Sequence, residues 1–461
     1  TFTWDEEAFP SPAEFIASLR ERGVRLCLWE NPYVWMDTPF FEEGARRGYF
    51  ARLSDGRWAT SLENAEAAIV DFTNPEAVAW IQERHRALLR QGVAAFKTDY
   101  GEGVPEDARF ADGRTGREVH NLYPLLYNRA VFEVVAEETG EGIVFGRSGY
   151  AGSQRYPVLW TGDAQSTFEG LAGALRAGLS LSLSGVAFWS HDIGGFWAPG
   201  DAPPSPELYV RWAQVGLLSS HARFHGTQPR EPWVFGEEAY GVVARMARLR
   251  YRLLPYLYQL AHEAHATGLP VVRPLYLEFP DDPLTPHLDT EFLLGPFLLA
   301  APVLDSARER QVYLPEGRWY DFWDGTPLDG PRSLRWPAPL DRIPLFVRED
   351  SVLPTIAERR WVDESPWAPL ELTLRVARRA EAVVPLPSGP SVHVGATRDG
   401  DRLHVRLRGE WPVRLVLPGW KDVRHVALQG CGDDARWWIE GTALHVACAP
   451  EGEAIVEIAV S

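Results

Sequence analysis

The stretch that decides the fold begins at Asn74-Pro75 and closes on Gln91-Gly92-Val93-Ala94-Ala95-Phe96-Lys97-Thr98-Asp99-Tyr100-Gly101-Glu102. Asn74 offers a side-chain cap and Pro75 a pre-set first helical residue, which predicts a helix from there to about Arg90. Gln91-Gly92 stops it. Val93 to Phe96 is a short apolar run of the kind a buried parallel strand needs. It ends on Lys97-Thr98-Asp99, a cation, a hydroxyl and a carboxylate in succession.

The same unit recurs on both sides. Ser11-Pro12 starts a helix with Phe15, Ile16 and Leu19 on one face, and Gly23 ends it. Val24 to Trp29 reads as a strand running into Glu30-Asn31-Pro32. Downstream, a helix near Leu122 to Glu138 precedes a strand from Ile143 to Phe145 that ends at Arg147. Val158 to Trp160 ends at Asp163. A helix follows from about Phe168 to Ser180, and Val186 to Trp189 ends at His191-Asp192. Two more helical stretches, about Leu208 to Phe224 and Ala239 to Ala266, lead to a last strand near Val271 to Tyr276.

Helices alternating with buried strands call for a parallel sheet, closed as a barrel or open and doubly wound. The strand ends discriminate. Five successive strands finish on polar, reactive side chains, as a (β/α) barrel arranges at its C-terminal face. No G-x-G-x-x-G follows a strand, against a Rossmann sheet. Six barrel-type strands are legible rather than eight, and the other two are expected before residue 1. The expected fold is therefore α/β: a (β/α)8-type barrel over residues 1–285, without its first two strands. Beyond Pro286 short alternating runs such as Leu403 to Leu407 and Val413 to Leu417 predict antiparallel β-sandwich domains over 286–360 and 361–461. Asp324-Gly325 is a hairpin signal.

The chain has 63 acidic and 46 basic residues and a net charge of −17, which works against binding nucleic acid or an anionic membrane. Its 19 Trp, 15 Tyr and 21 Phe supply either large cores or flat faces for sugar rings, and abundance alone favours cores. Cys27, Cys431 and Cys448 form no C-x-x-C pair. The odd count leaves at least one thiol unpaired, Cys27 is expected to be buried, and a reducing cytoplasm fits better than secretion.

Asp99 is the first candidate for chemistry. Lys97 lies two residues away, so in an extended strand the two side chains share a face, and an ammonium there would keep Asp99 ionised as a nucleophile must be. A structural ion pair is the competing reading. Asp163 follows a short apolar strand whose aromatic neighbours would raise its pKa, as a general acid needs. A helix N-cap is the competing reading there. Arg147 ends the strand between them, while Glu102, His191, Asp192 and His225 are further candidates. A metal held by His191, Asp192 and Glu102 would be an alternative, but no spacing diagnostic of a metal site supports it. Asp71 and Asn74 read as helix caps, and Asp281-Asp282 as a solvated turn.

At these motifs the sequence resembles glycoside hydrolase family 31, and within it the bacterial α-xylosidases. The resemblance is carried by Thr1-Phe2-Thr3-Trp4-Asp5, Asn31-Pro32-Tyr33, Asp71-Phe72-Thr73-Asn74-Pro75, Phe96 to Glu102, Arg147-Ser148 and Trp160 to Asp163. It continues through Phe188 to Phe196, Leu217 to His221, His225-Gly226, Glu278 to Asp282 and Tyr313 to Trp319. It implies a retaining α-glycosidase with Asp99 as nucleophile and Asp163 as acid/base. Trp29, Lys97, Arg147 and His225 would surround the sugar, with Trp160 and Trp189 packed nearby and Glu102, His191 and Asp192 in support.

Neither cofactor nor metal is implied. The implied partner is an α-linked oligosaccharide or glycoside, and a homo-oligomer is compatible with the reading. Lys-Thr-Asp followed by an aromatic, Gly and Glu resembles the xylosidase branch, where α-glucosidases of the family more often carry Asp-Met-Asn-Glu. An α-glucosidase or α-transglycosylase is the close alternative. A non-catalytic carbohydrate-binding remnant is the distant one. Glu30 and Thr161 depart from the family pattern. The resemblance also implies that an N-terminal β-sandwich and two barrel strands precede Thr1.

Overall fold

A computed structural model describes residues 2–460, apart from the side chain of Asp201. Thr1, which opens the first family-like motif, lies outside them. The chain forms two compact units, 1–162 and 163–461.

In the first unit the helix Pro75–Leu89 is capped by Asn74, whose side chain accepts from the Glu76 backbone. Asp71 supports the approach to this cap, taking the Thr73 N–H at 2.9 Å and the Ala111 N–H at 2.7 Å. The helix buries Trp80, Ile81, His85 and Leu88. It delivers the chain to the strand Ala95–Thr98, two residues later than the sequence suggested.

That strand pairs in parallel with Cys27–Glu30, placing Trp29 opposite Lys97 and Glu30 opposite Thr98. Parallel bridges Phe96–Val144 and Gly146–Leu159 continue the sheet. Four strand segments thus lie side by side in chain order, with Phe96 and Val144 in the core beside Val131, Val134 and Val135 of the helix Tyr123–Thr139. Cys27 is exposed, contrary to expectation. It opens a strand that, among the described residues, is paired along one edge only.

In the second unit the helix Phe168–Leu183 is capped by Thr167 and packs Gly178 against Trp189. A Cβ on Gly178 would come within 2.0 Å of that indole, so only glycine fits. The predicted helix near 208–224 stops at Gly216, and Arg223–Phe224 instead pairs in parallel with Asp192–Ile193. The long helix expected over 239–266 is two helices, Glu237–Arg252 and Leu254–Thr267, because Pro255 cannot continue the first. Val272–Arg273, expected as the last barrel strand, instead pairs antiparallel with Phe292–Leu294 and opens the next sheet, cut short by Pro274 and the turn of helix Leu275–Glu278.

A six-stranded antiparallel sheet follows, running Val272–Arg273, Phe292–Leu294, Leu298–Ala300, Leu345–Arg348, Glu309–Asp321 and Pro327–Pro337 in spatial order. Beyond it two five-stranded sheets share a core that includes Leu372, Leu374, Val405, Leu415 and Val456. Their pairs are antiparallel except Leu370–Arg375 with Val413–Pro418. Cys431 and Cys448, on strands of the two different sheets, are joined by a disulfide with Cα atoms 5.1 Å apart. No sequence argument paired them.

Candidate active site

Asp99 stands at the end of the strand Ala95–Thr98 and is 7% exposed. Its Oδ2 accepts from Lys97 Nζ at 2.6 Å and from Trp29 Nε1 at 2.7 Å. Its Oδ1 accepts the Tyr100 backbone N–H at 2.9 Å and lies 3.2 Å from Arg147 Nη1. Burial pushes the carboxyl pKa up, but Lys97, Trp29 and Arg147 outweigh it and hold Asp99 below the usual carboxylate range. It is a buried, ionised carboxylate with two cations and two neutral donors.

The two cations are themselves fixed. Lys97 Nζ sits 4.1 Å from the centroid of Trp160, which is buried and packs on Phe145. Arg147 stacks 4.0 Å over Tyr100 and pairs with Glu102 at 2.5 Å. Tyr100 has φ 59°, a left-handed conformation rare for an aromatic residue. Three groups brace that turn. Ser148 Oγ donates to Tyr100 O at 2.5 Å, while Tyr33 Oη accepts the N–H groups of Gly101 at 3.1 Å and Gly103 at 2.8 Å. Asn128 ties Thr98 to Ser148 O.

Tyr33, Tyr100, Asn128 and Ser148 were not singled out as site residues from sequence. Tyr33 and Ser148 fall inside quoted motifs, but nothing in their spacing announces these bonds.

Glu30 is buried, with Oε2 3.0 Å from His85 Nε2. Trp29 is 56% exposed and lines a cavity of about 420 Å³ together with Leu28, Tyr33, Phe72 and Tyr127.

In the second unit Asp163 is exposed, and its carbonyl accepts from Trp197 Nε1 at 3.2 Å. It does not cap the next helix, because Thr167 does. Nor is its carboxylate sunk among apolar groups, as the sequence argument for a raised pKa supposed. His225 stacks on Phe196 with centroids 5.5 Å apart. Trp189 is 1% exposed and donates its indole N–H to Ser182 at 2.7 Å, so its ring belongs to the core. His191 accepts from Trp212 Nε1 at 2.9 Å, and burial pulls its pKa down to about 4, leaving it neutral. Asp192 is fully buried on Arg223. Among the described residues no three His, Cys, Asp or Glu side chains gather as a metal site requires.

Parallel strands alternating with helices, a charge-fixed carboxylate at a strand end and antiparallel sheets later in the chain fit a (β/α) barrel followed by β domains. The model of the glycosyl hydrolases family 31 TIM-barrel domain matches residues 1–260, and that of the family's C-terminal domain matches 268–353. The chain belongs to glycoside hydrolase family 31. It is 38% identical over 405 residues to an α-xylosidase of Emericella nidulans, covering 85% of this chain and 51% of that protein. It is 41% identical over 369 residues to the α-xylosidase XylQ of Lactiplantibacillus pentosus, covering 77% and 47%. The structure of a Flavobacterium johnsoniae family 31 dextranase complexed with glucose superposes with a TM-score of 0.93 at 26% identity, covering 99% of this chain and 65% of that one. The chain thus spans about half the length of these two curated relatives.

Proposed function

We propose that this chain carries the catalytic core of a retaining α-glycosidase, acting as an α-xylosidase on terminal α-xylosyl units of oligosaccharides. The observation that carries the reading is Asp99: a buried carboxylate kept ionised by Lys97 and Arg147, as a nucleophile requires. Asp99 attacks the anomeric carbon while the bond to the leaving oxygen breaks and Asp163 protonates that oxygen. Water then attacks the β-linked glycosyl-enzyme, Asp163 takes its proton, the bond to Asp99 breaks, and the α-configuration is retained. Trp29, Lys97 and Arg147 orient the sugar on the side of Asp99. His225 does so from the second unit, and Trp160 braces Lys97.

Xylose is supported by the two α-xylosidase relatives. The runner-up, an α-glucosidase or α-transglycosylase, is supported by the dextranase neighbour with glucose bound. One methylene-sized contact separates such substrates by only about 1–3 kcal/mol. Comparing kcat/KM for aryl α-xyloside and aryl α-glucoside decides between them. Turnover of neither substrate, or undiminished turnover in Asp99→Asn and Asp163→Asn, would sink the catalytic reading.

We further propose the domain division 1–285, 286–360 and 361–461, which limited proteolysis would test by cutting near those borders. No helix among the described residues is long and apolar enough to cross a membrane. We also propose a cytoplasmic location, against which the Cys431–Cys448 disulfide stands as the contrary observation. Three titratable thiols in freshly isolated, denatured protein support it, whereas a single thiol, with Cys431–Cys448 oxidised, overturns it.

A further inference from the structure

The second unit holds an arginine-rich cleft. One lobe, about 780 Å³, is lined by Arg318, Arg375 and Arg398 together with Tyr320, Trp323 and Trp420. An adjoining lobe of about 490 Å³ adds Arg245, Arg248 and Arg252 and shares Phe322, Trp323, Arg375 and Pro418. Six arginines therefore face the cleft, against the four carboxylates Asp324, Glu349, Glu358 and Asp422. The chain as a whole has the opposite balance, 46 basic to 63 acidic. A local reversal of sign in an acidic protein marks a place where anions collect.

Arg375 stands at the junction of the lobes, at the end of the strand Leu370–Arg375. The alternation of that strand sends Leu370, Leu372 and Leu374 into the sandwich core and Arg375 out of it. Three of the other five arginines are answered by a carboxylate: Arg318 by Asp329, Arg248 by Glu358 and Arg252 by Glu371. No carboxylate lies within 4.0 Å of Arg375 among the described residues, and its Nε is a buried donor with no hydrogen-bond partner. Its guanidinium stacks 4.2 Å over Tyr320. The nearest acid across the cleft is engaged, since Glu349 accepts from Tyr320 Oη at 3.2 Å. Gly325, in the Asp324-Gly325 turn, leaves room beside the cation: a Cβ there would lie 3.3 Å from Arg375 Nη2.

A half-buried cation without a counter-charge is costly unless something supplies the charge. Burial accordingly pulls the Arg375 pKa down. A planar guanidinium presents a fork that fits a carboxylate in bidentate fashion, and aromatic walls suit the apolar face of a pyranose ring. We propose that this cleft binds an acidic saccharide, with the carboxylate of a uronic acid residue on Arg375 and its ring against Tyr320, Phe322 and Trp323. The cleft shares no residue with the Asp99 centre and does not depend on its chemistry.

The test is calorimetric titration of the full chain with a xylo-oligosaccharide bearing one glucuronic acid and with the same oligosaccharide lacking it. Asp99→Asn serves as background so that no turnover intervenes. The uronate ligand is expected to bind at least tenfold more tightly than the neutral one. Arg375→Met should remove that preference, Arg375→Lys should keep part of it, and high salt should weaken it. Arg375→Met should melt no lower than the parent, because it removes an unanswered charge. Equal binding of the two saccharides, or a preference that survives Arg375→Met, overturns the proposal. Inorganic phosphate competing as well as the saccharide would reduce the site to one for small anions, and a large drop in Tm for Arg375→Met would make the residue structural. Either result also overturns it.

Discussion

Two buried carboxylates, one in each unit, respond to burial in opposite directions. Asp99 is 7% exposed and Glu291 is 2% exposed, and each has an arginine in its electrostatic neighbourhood. Asp99 is held below its ordinary range, while burial drives Glu291 up to about 7. The difference lies in contact. Lys97 and Arg147 touch the oxygens of Asp99, and Trp29 and the Tyr100 N–H complete its shell. Among the described residues Glu291 takes only the Tyr313 N–H, at 3.3 Å, while the Arg310 guanidinium is turned to the Thr290 carbonyl and hydroxyl. Burial alone makes an acid neutral, and it takes touching cations to make a buried acid a nucleophile.

The largest effect that could break this contrast is chemical. Asp99→Asn keeps shape and most hydrogen bonds but removes the attacking charge. Activity toward an aryl α-xyloside should fall about 10⁴-fold or more, in the range seen when other enzymes lose a nucleophile. A loss under tenfold would leave Asp99 as a structural ion pair.

Glu291 gives the next largest effect, on stability. Its pKa rises from 4.5 in the unfolded chain to about 7 in the fold. Below pH 4.5 both states hold the proton and its contribution is complete. Between 4.5 and 7 the unfolded chain releases the proton and the fold does not, so stability falls as pH rises, by about 1.4 kcal/mol per pH unit. The total is about 3 kcal/mol. Glu291→Gln should flatten this segment of a urea-denaturation profile taken from pH 4.5 to 7.5. An unchanged slope would mean that Glu291 is ionised in the fold.

Lys97→Met sharpens the comparison by making Asp99 more like Glu291. The pKa of Asp99 is depressed, so the stability it contributes is present above the ordinary carboxylate pKa and lost as pH falls through the folded value. Removing the ammonium should carry the acid limb of kcat/KM to higher pH. A limb that does not move would assign it to another group.

How much of this was legible depends on range. The Asn74 cap and the Lys97–Asp99 pair are local, set by two-residue spacings that any extended or capped segment must obey, and both could be read from the chain. The barrel reading rested on where successive strands stop, which is also local. What escaped was long-range. Trp29 reaches Asp99 across 70 residues, and Tyr33 braces Gly103 across the same separation. The exposure of Cys27 and of Asp163 depends on what packs beside them, which an apolar run of letters does not state. The Cys431–Cys448 disulfide spans two sheets, so no strand pattern pointed to it. Nothing in the sequence around Glu291 announces its burial, which comes from residues packed around it in the fold.

The smallest of these effects tests whether neutral donors matter once the cations are in place. Trp29 gives Asp99 one charge-assisted hydrogen bond at 2.7 Å, and its ring is more than half exposed. Trp29→Phe keeps an aromatic ring and removes the N–H. Such a bond contributes about 1.5–3 kcal/mol, and Lys97 remains on the same oxygen, so the loss should sit at the lower end, roughly tenfold in kcat/KM. The direction of the split is informative. If Trp29 acts through Asp99, kcat falls and the acid limb rises slightly while KM for a small aryl glycoside holds. If its exposed face serves as a platform for the sugar, KM rises and kcat holds, and Trp29→Phe recovers most of what Trp29→Ala loses. The first pattern would assign Trp29 to the charge shell of Asp99. The second would leave the nucleophile to Lys97 and Arg147 alone, so that the contrast with Glu291 would rest on cations only.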